Sequence, residues 1–410
     1  MTNGIWQKQS HTQIQDRINT ALKQNVSFLN KSVLGVPGSF LDTLVFDQEA
    51  NFLDDAPFLR TLLENPNHIG CHTLHTSEPF FEGSHAIECD LLDICATEIL
   101  QAQAQTYDGY VASGGTEANI QAMWIYRNYF QQECSARLDE ILILGSEDTH
   151  YSIDKAANLL ALDVKKIPVH KNSRDIDQLA FRNILQDAKS NGKTCIVFIS
   201  NMMTTMFGSV DDIDAAVATL EQSGLTYKIH VDGAYGGFYY PFSNPQNSMT
   251  FANTNISSFT LDAHKMAQAP YGTGIFLIRK GLIQYANTQQ ASYVRGEDFT
   301  LVGSRSGANA IAAWMILSRH GKQGWFDKIE ILQERASGFA SELDRMGINH
   351  FRDPFSNIIT IQNKFVNPEV AERFYLVPDD HQSPAWQKIV IMEHVTQARL
   401  DELLSELMQA

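Results

Sequence analysis

Between residues 107 and 279 short β-branched or aromatic runs alternate with longer amphipathic stretches, and this alternation leaves few architectures open. Strand candidates fall at 107–112, 140–144, 164–169, 195–200, 227–231, 257–261 and 275–279, most of them followed by polar or glycine-containing turns. Helical patterns at 117–130, 175–188 and 213–222 lie between most of them. Strand–helix–strand repetition predicts an α/β fold, with a mainly parallel seven-stranded sheet covered on both faces and a ligand site at the carboxyl ends of the strands. Ahead of this region, residues 10–33 read as a helix and 34–60 as an extended arm containing Pro37, Gly38 and Pro57, of a kind that packs on a partner subunit. After about residue 290 the pattern becomes a long helix (307–319, then 325–345), short strands near 358–361 and 389–392, and a final helix at 397–407. The chain thus divides into an N-terminal helix and arm (1–60), a large domain (61–290) and a small C-terminal α+β domain (291–410).

Charge narrows the partners. Thirty-one Lys and Arg against 47 Asp and Glu leave a net charge of −16, a field that repels nucleic-acid backbones and anionic membranes. Five cysteines, Cys71, Cys89, Cys95, Cys134 and Cys195, are few, odd in number and mostly set among apolar residues, which argues for a reducing compartment over a disulfide framework. The first residues lack a basic segment leading into an apolar run, and no stretch reaches the ~18 apolar residues of a membrane span. A cytoplasmic location is the expectation.

Four strand-end segments carry chemistry. Ser257-Ser258-Phe259-Thr260-Leu261-Asp262-Ala263-His264-Lys265 ends an apolar strand in a polar turn holding a lysine, which taken alone reads more readily as a solvated side chain. Tyr227-Lys228-Ile229-His230-Val231-Asp232-Gly233-Ala234 ends another in an acid followed by small residues; Asp232 could keep a pyridine nitrogen protonated, or cap a helix, or bind a metal. Ser113-Gly114-Gly115-Thr116-Glu117-Ala118-Asn119 opens a helix with two glycines and a hydroxyl, an anion-binding arrangement that is also common as plain helix initiation. It is neither a Walker loop nor a dinucleotide fingerprint. His150, at the start of His150-Tyr151-Ser152-Ile153-Asp154-Lys155-Ala156, could stack on an aromatic cofactor and handle a proton, or merely cap its helix. An anion-binding turn, a stacking histidine, an acid and a lysine, in this order at strand ends, are together what pyridoxal 5'-phosphate requires. Cys71-His72-Thr73-Leu74-His75 offers zinc-ligand types, but no second pair stands at zinc-site spacing, so no metal is expected.

With these motifs the chain, over about residues 65–410, resembles the group II pyridoxal-phosphate-dependent amino acid decarboxylases of the aspartate-aminotransferase fold, fold type I. Within them it looks most similar to the bacterial histidine decarboxylase and plant serine decarboxylase branch, through Thr300-Leu301-Val302-Gly303-Ser304-Arg305-Ser306-Gly307, Trp314 and the run from Trp386 to Thr396. The resemblance implies that Lys265 carries the cofactor covalently, Asp232 pairs with the ring nitrogen, His150 stacks on the ring and Ala234 packs on its other face. Gly115, Thr116 and His264 would bind the phosphate, with Ser258 or Asp262 nearby, and Thr204 would also contact the cofactor. Tyr293 and Arg305 match a segment that approaches the substrate: Tyr293 or His150 would return a proton, and Arg305 would anchor a carboxylate or serve as a structural arginine. His72 lies in a region expected to face substrate.

Two departures matter. Relatives commonly read Asn-x-Gly-Thr-Thr where this chain has Asn201-Met202-Met203-Thr204-Thr205, and Tyr-Pro where it has Cys71-His72 after Gly70. The expected activity is decarboxylation of an L-amino acid to the amine and CO₂. The alternatives are a carbon–carbon lyase similar to sphingosine-phosphate lyases, echoed by Ala269-Pro270-Tyr271-Gly272, and a pyridoxal-phosphate-binding protein without catalysis. A homodimer with sites at the interface is expected, Tyr271-Gly272-Thr273-Gly274 reaching across it.

Overall fold

Four strands of the main sheet divide their side chains between two apolar cores. In the computed structural model, which describes residues 4–25, 56–64, 68–70, 77–287 and 297–407, the strands are β1 (Tyr107–Ala112), β2 (Ile141–Ser146), β3 (Asp163–Ile167), β4 (Cys195–Asn201), β5 (Thr226–Gly233), β6 (Ile256–Asp262) and β7 (Gly274–Arg279). Their order is β1-β7-β6-β5-β4-β2-β3; only β7 runs antiparallel to its neighbours. Leu142, Leu144, Ile196, Phe198, Ile275 and Leu277 enter one apolar cluster; the alternating Ile141, Ile143, Val197, Ile199, Phe276 and Ile278 enter the other. This is the two-residue period of a pleated strand buried on both faces. The exception is the edge strand β3, whose exposed and half-buried positions include Lys165 and Lys166, a charged edge that discourages further pairing.

Helices α1 (His11–Gln24) and α2 (Glu82–Asp93) lie on the side of the first cluster, which takes Ile14 and Ile18 from one and Ile87 and Leu91 from the other. Helices α3 (Gly115–Glu133) and α4 (Ser152–Leu160) cover the opposite face, while α5 (Gln178–Ser190) and α6 (Ile213–Ser223) return to the first. A segment read as extended is instead a 3₁₀ turn, Pro57–Arg60, with the fixed φ of Pro57 suited to the first helical position.

The long α7 (Gly307–Arg345) breaks at Gly321, where φ is 64° and ψ 170°. The chain's beginning lies against the break: Trp6 Nε1 donates to the Leu317 carbonyl at 2.6 Å and the Gln9 amide to that of Ser318 at 2.9 Å. Carbonyls freed by the kink thereby find partners. Before the break α7 packs on the large domain through Ile311 and Trp314; after it, Ala336, Phe339 and Leu343 join a third cluster. That cluster is the core of a small C-terminal domain, a four-stranded antiparallel sheet of β8 (His350–Phe351), β9 (Ile358–Gln362), β10 (Val377–Pro378) and β11 (Trp386–Val390), closed by α8 (Gln397–Leu407). Among the described residues no helix is long and apolar enough to cross a membrane.

Candidate active site

Parallel strands bring their carboxyl ends to one edge of the sheet. Asn201 at the end of β4 is in register with Asp232 near the end of β5, and Gly233 with Leu261 of β6, next to Asp262. Beyond this edge lies a cavity of about 280 Å³, lined among others by Gly115, Thr116, His150, Thr204, Asp232, Ala234, Asp262, His264 and Lys265. These nine are drawn together from α3, α4 and three strand ends.

Lys265 follows β6 in a turn, its Nζ 3.2 Å from Asp262 Oδ2. His264 Nε2 stands 3.6 Å from the same oxygen. Burial pushes the Asp262 carboxyl above the ordinary range, and the charges of Lys265 and His264 pull it back. Asp262 therefore serves the cavity chiefly as the acceptor that holds the lysine. Burial likewise lowers His264, against the pull of Asp262, and its ring lies 4.3 Å from that of Tyr271.

Asp232 is 8% exposed and accepts hydrogen bonds from Asn119 Nδ2 at 2.9 Å and the Ala234 amide at 3.1 Å. His150 is lowered by burial, which outweighs the opposing charge of Asp232. Its Nδ1 lies 2.9 Å from Ser152 Oγ and accepts from the Ser152 amide at 3.3 Å. The 19-residue α3 begins at Gly115, and no side chain caps it. Its opening amides and its positive dipole end face a ligand site rather than a capping carboxylate. A Cβ on Gly115 would stand 2.8 Å from Asp262 Oδ2 and 3.2 Å from Ala234 Cβ, so this wall admits only glycine without displacement.

The donor set suits pyridoxal phosphate: a lysine amine at the cavity wall, a carboxylate for the ring nitrogen, an imidazole, and an uncapped glycine-lined helix start for the phosphate. Among the described residues no cluster of His, Cys, Asp and Glu is arranged to hold a metal.

Two expected contacts are not brought to the cavity. Ser258 sits four residues before the end of β6, fully buried, with its hydroxyl held between Tyr126 and His230. Arg305 is buried in an ion pair with Glu88 of α2 and lies over the Tyr110 ring, so its guanidinium is committed to the core and the carboxylate-anchor reading gives way to the structural one. His72, Tyr293 and the Cys71–His75 cluster lie outside the described residues.

Met203, where the family resemblance leads one to expect glycine, takes φ +68°, is 4% exposed and forms part of the cavity wall beside Thr204. Thr204 Oγ1 in turn lies 2.8 Å from Ser209 Oγ. The sequence reading passed over Asn119, Asn201, Tyr151 and Tyr235, which also line the cavity. A signal existed for two of them. Asn119 follows Gly115 by four positions, one helical turn on the same face, and Asn201 ends a strand in the same way as Asp232.

A family model of the pyridoxal-dependent decarboxylase conserved domain matches residues 80–351. The tryptophan decarboxylase of Clostridium sporogenes is 45% identical over 404 residues, covering 98% of this chain and 97% of that protein. A histidine decarboxylase of Vibrio campbellii is 29% identical over 302 residues, 73% of either chain. Among solved structures, L-methionine decarboxylase from Streptomyces sp. 590 superposes with a TM-score of 0.70 at 20% identity, covering 97% of this chain and 94% of that one.

Proposed function

The chain belongs to the pyridoxal-dependent decarboxylases, enzymes that use pyridoxal phosphate to remove the carboxylate of an amino acid, and from that premise we propose that its substrate is L-tryptophan or a close aromatic analogue. The observation that carries the substrate class is the 45% identity, along nearly the whole chain, to a tryptophan decarboxylase. The composition of the wall supports it: Tyr151, Met203, Tyr235 and Tyr271 present rings and a polarizable thioether of the kind that packs against aromatic groups.

In this reading Lys265 would hold the cofactor, with Asp262 orienting the lysine from 3.2 Å. The opening amides of α3 at Gly115 and Thr116, together with His264, would hold the phosphate. Asp232, held by its two donors, would pair with the ring nitrogen, while His150 and Ala234 would confine the ring. The cofactor, when bound, supplies an electron sink; the walls decide which bond of the substrate is aligned with it.

The same reading includes a cytoplasmic homodimer. Tyr271 lines the cavity yet is 86% exposed, an aromatic surface suited to cover by a second subunit.

The test is CO₂ and amine release by the purified protein with pyridoxal phosphate and each of the twenty amino acids. L-Tryptophan is expected to give the highest kcat/KM, and Lys265→Ala to lose both turnover and the visible absorbance of the bound cofactor. No CO₂ from any amino acid would overturn the activity, and a preference for a small or acidic substrate would overturn the aromatic assignment.

A further inference from the structure

Behind the cavity wall runs a continuous chain of buried polar groups whose proton positions can be worked out one by one. Asn119, 1% exposed, is its branch point. Its Nδ2 is 2.9 Å from Asp232 Oδ2 and 2.9 Å from Ser152 Oγ; its Oδ1 is 2.9 Å from His230 Nε2. Turning the amide over would set its oxygen against the Asp232 carboxylate, so the orientation is fixed.

The rest follows. Asn119 Oδ1 needs a donor, so His230 carries its proton on Nε2. Full burial lowers His230 to about 4, so the ring is neutral and its Nδ1 is bare. Ser258 Oγ, 2.6 Å away, donates to that Nδ1 and itself accepts from the Tyr126 hydroxyl. On the other branch Ser152 Oγ accepts from Asn119 and is left to donate to His150 Nδ1 at 2.9 Å, where the Ser152 amide donates as well. His150 Nδ1 is thus an acceptor twice over. The proton of the neutral ring belongs on Nε2, which has no protein partner among the described residues and is the nitrogen left for a bound molecule.

We propose that Asn119 and Ser152 are positioning residues: one amide presents Asp232 to the ring nitrogen, and through Ser152 it holds His150 as the Nε2–H tautomer. The proposal rests on the reading of Asp232 and His150 as cofactor groups. Among the described residues no other side chain in contact with Asp232 or His150 would do both, because only an amide offers two donors and one acceptor in a fixed plane. The charged groups facing His150 are Asp232 on β5, Asp262 at the end of β6, Lys265 just beyond it, and Lys155 on α4, two of each sign. Donors aimed at Nδ1 oppose a second proton there, so removing one lets His150 protonate at higher pH.

The experiment follows His150 by ¹⁵N NMR of the histidine-labelled chain, assigned with His150→Gln and read without substrate. In the wild type, at pH 7.5, Nδ1 is expected to be bare and Nε2 protonated. Ser152→Ala should raise the pH at which the second proton arrives by about one unit, a tenfold change in the equilibrium, and Ser152→Thr, which keeps the hydroxyl, should restore it. In the holoenzyme Asn119→Ala is expected to lower kcat about tenfold or more with little change in KM, the loss of a hydrogen bond to a charged group. A wild-type Nδ1 that carries the proton, or an unchanged titration in a folded Ser152→Ala protein, would overturn the proposal. Failure of the decarboxylase reading would appear separately, as wild-type protein that releases no CO₂.

Discussion

Asp211 offers a test in which the structure sets both sign and size. It is 6% exposed, and its Oδ2 accepts from the Asn201 amide at 2.6 Å and from Asn201 Nδ2 at 2.8 Å, fastening the cavity-lining Asn201. Burial pushes this carboxyl from 3.8 up to about 7; the two Asn201 donors pull it down and the charges of Asp148 and Asp175 push it further up. Below about pH 4 the carboxyl is protonated in both folded and unfolded chains. As pH rises from there the unfolded chain ionises and the folded one does not, so stability falls by about 1.4 kcal/mol per pH unit until the folded pKa is reached, and then levels off. Between pH 5 and pH 8 the loss is about 2–3 kcal/mol. Asp211→Asn keeps the shape and an oxygen to accept from Asn201, and does not titrate. Urea unfolding of wild type and variant at pH 5, 6, 7 and 8, at fixed cofactor concentration, isolates the effect because other titrating groups cancel in the difference. The variant should gain about 2–3 kcal/mol on the wild type between pH 5 and pH 8. A difference that stays constant with pH would refute the reasoning.

Three further outcomes follow from the geometry. Gly115→Ala places a Cβ 2.8 Å from Asp262 Oδ2, displacing that carboxylate, and should raise the cofactor dissociation constant, read by visible absorbance titration, at least about tenfold. Glu88→Gln or Arg305→Met removes one charge of a buried ion pair and should cost about 3–5 kcal/mol in denaturant unfolding; the double replacement Glu88→Leu with Arg305→Met should cost less than the sum. At Met203 the positive φ should make the glycine variant more stable than the alanine variant by about 0.5–1 kcal/mol, the reverse of their order at an ordinary helical position.

Most of the seven strands were legible because they are short apolar runs ending in turns, and burial on both faces makes such runs nearly continuous; the charged edge strand β3 is the exception. Helix α2 was not. Its buried set mixes Gly83, Ser84, His85 and Glu88 with Ile87, Leu91 and Leu92, so no apolar stripe marks it. In the site, Lys265 and Asp232 announced themselves by charge at a strand end. Asn119 and Asn201 did not, because a neutral amide gains a role only from what the fold sets beside it. Arg305 shows the same limit from the other side: its partner Glu88 lies 217 positions away, and nothing local distinguishes an arginine committed to that acid from one reaching for substrate.

The meeting of Trp6 with the broken helix also governs the order of events during synthesis. The acceptor of Trp6 is 311 residues further along the chain, so at a ribosomal rate of 5–20 residues per second the indole waits roughly 15–60 s for the carbonyl it will bind. During that interval the apolar face of α1 is exposed beside it, since part of its cover, from the first half of α7, has not yet been made. The apolar face of α1 therefore completes its cover only when α7 emerges.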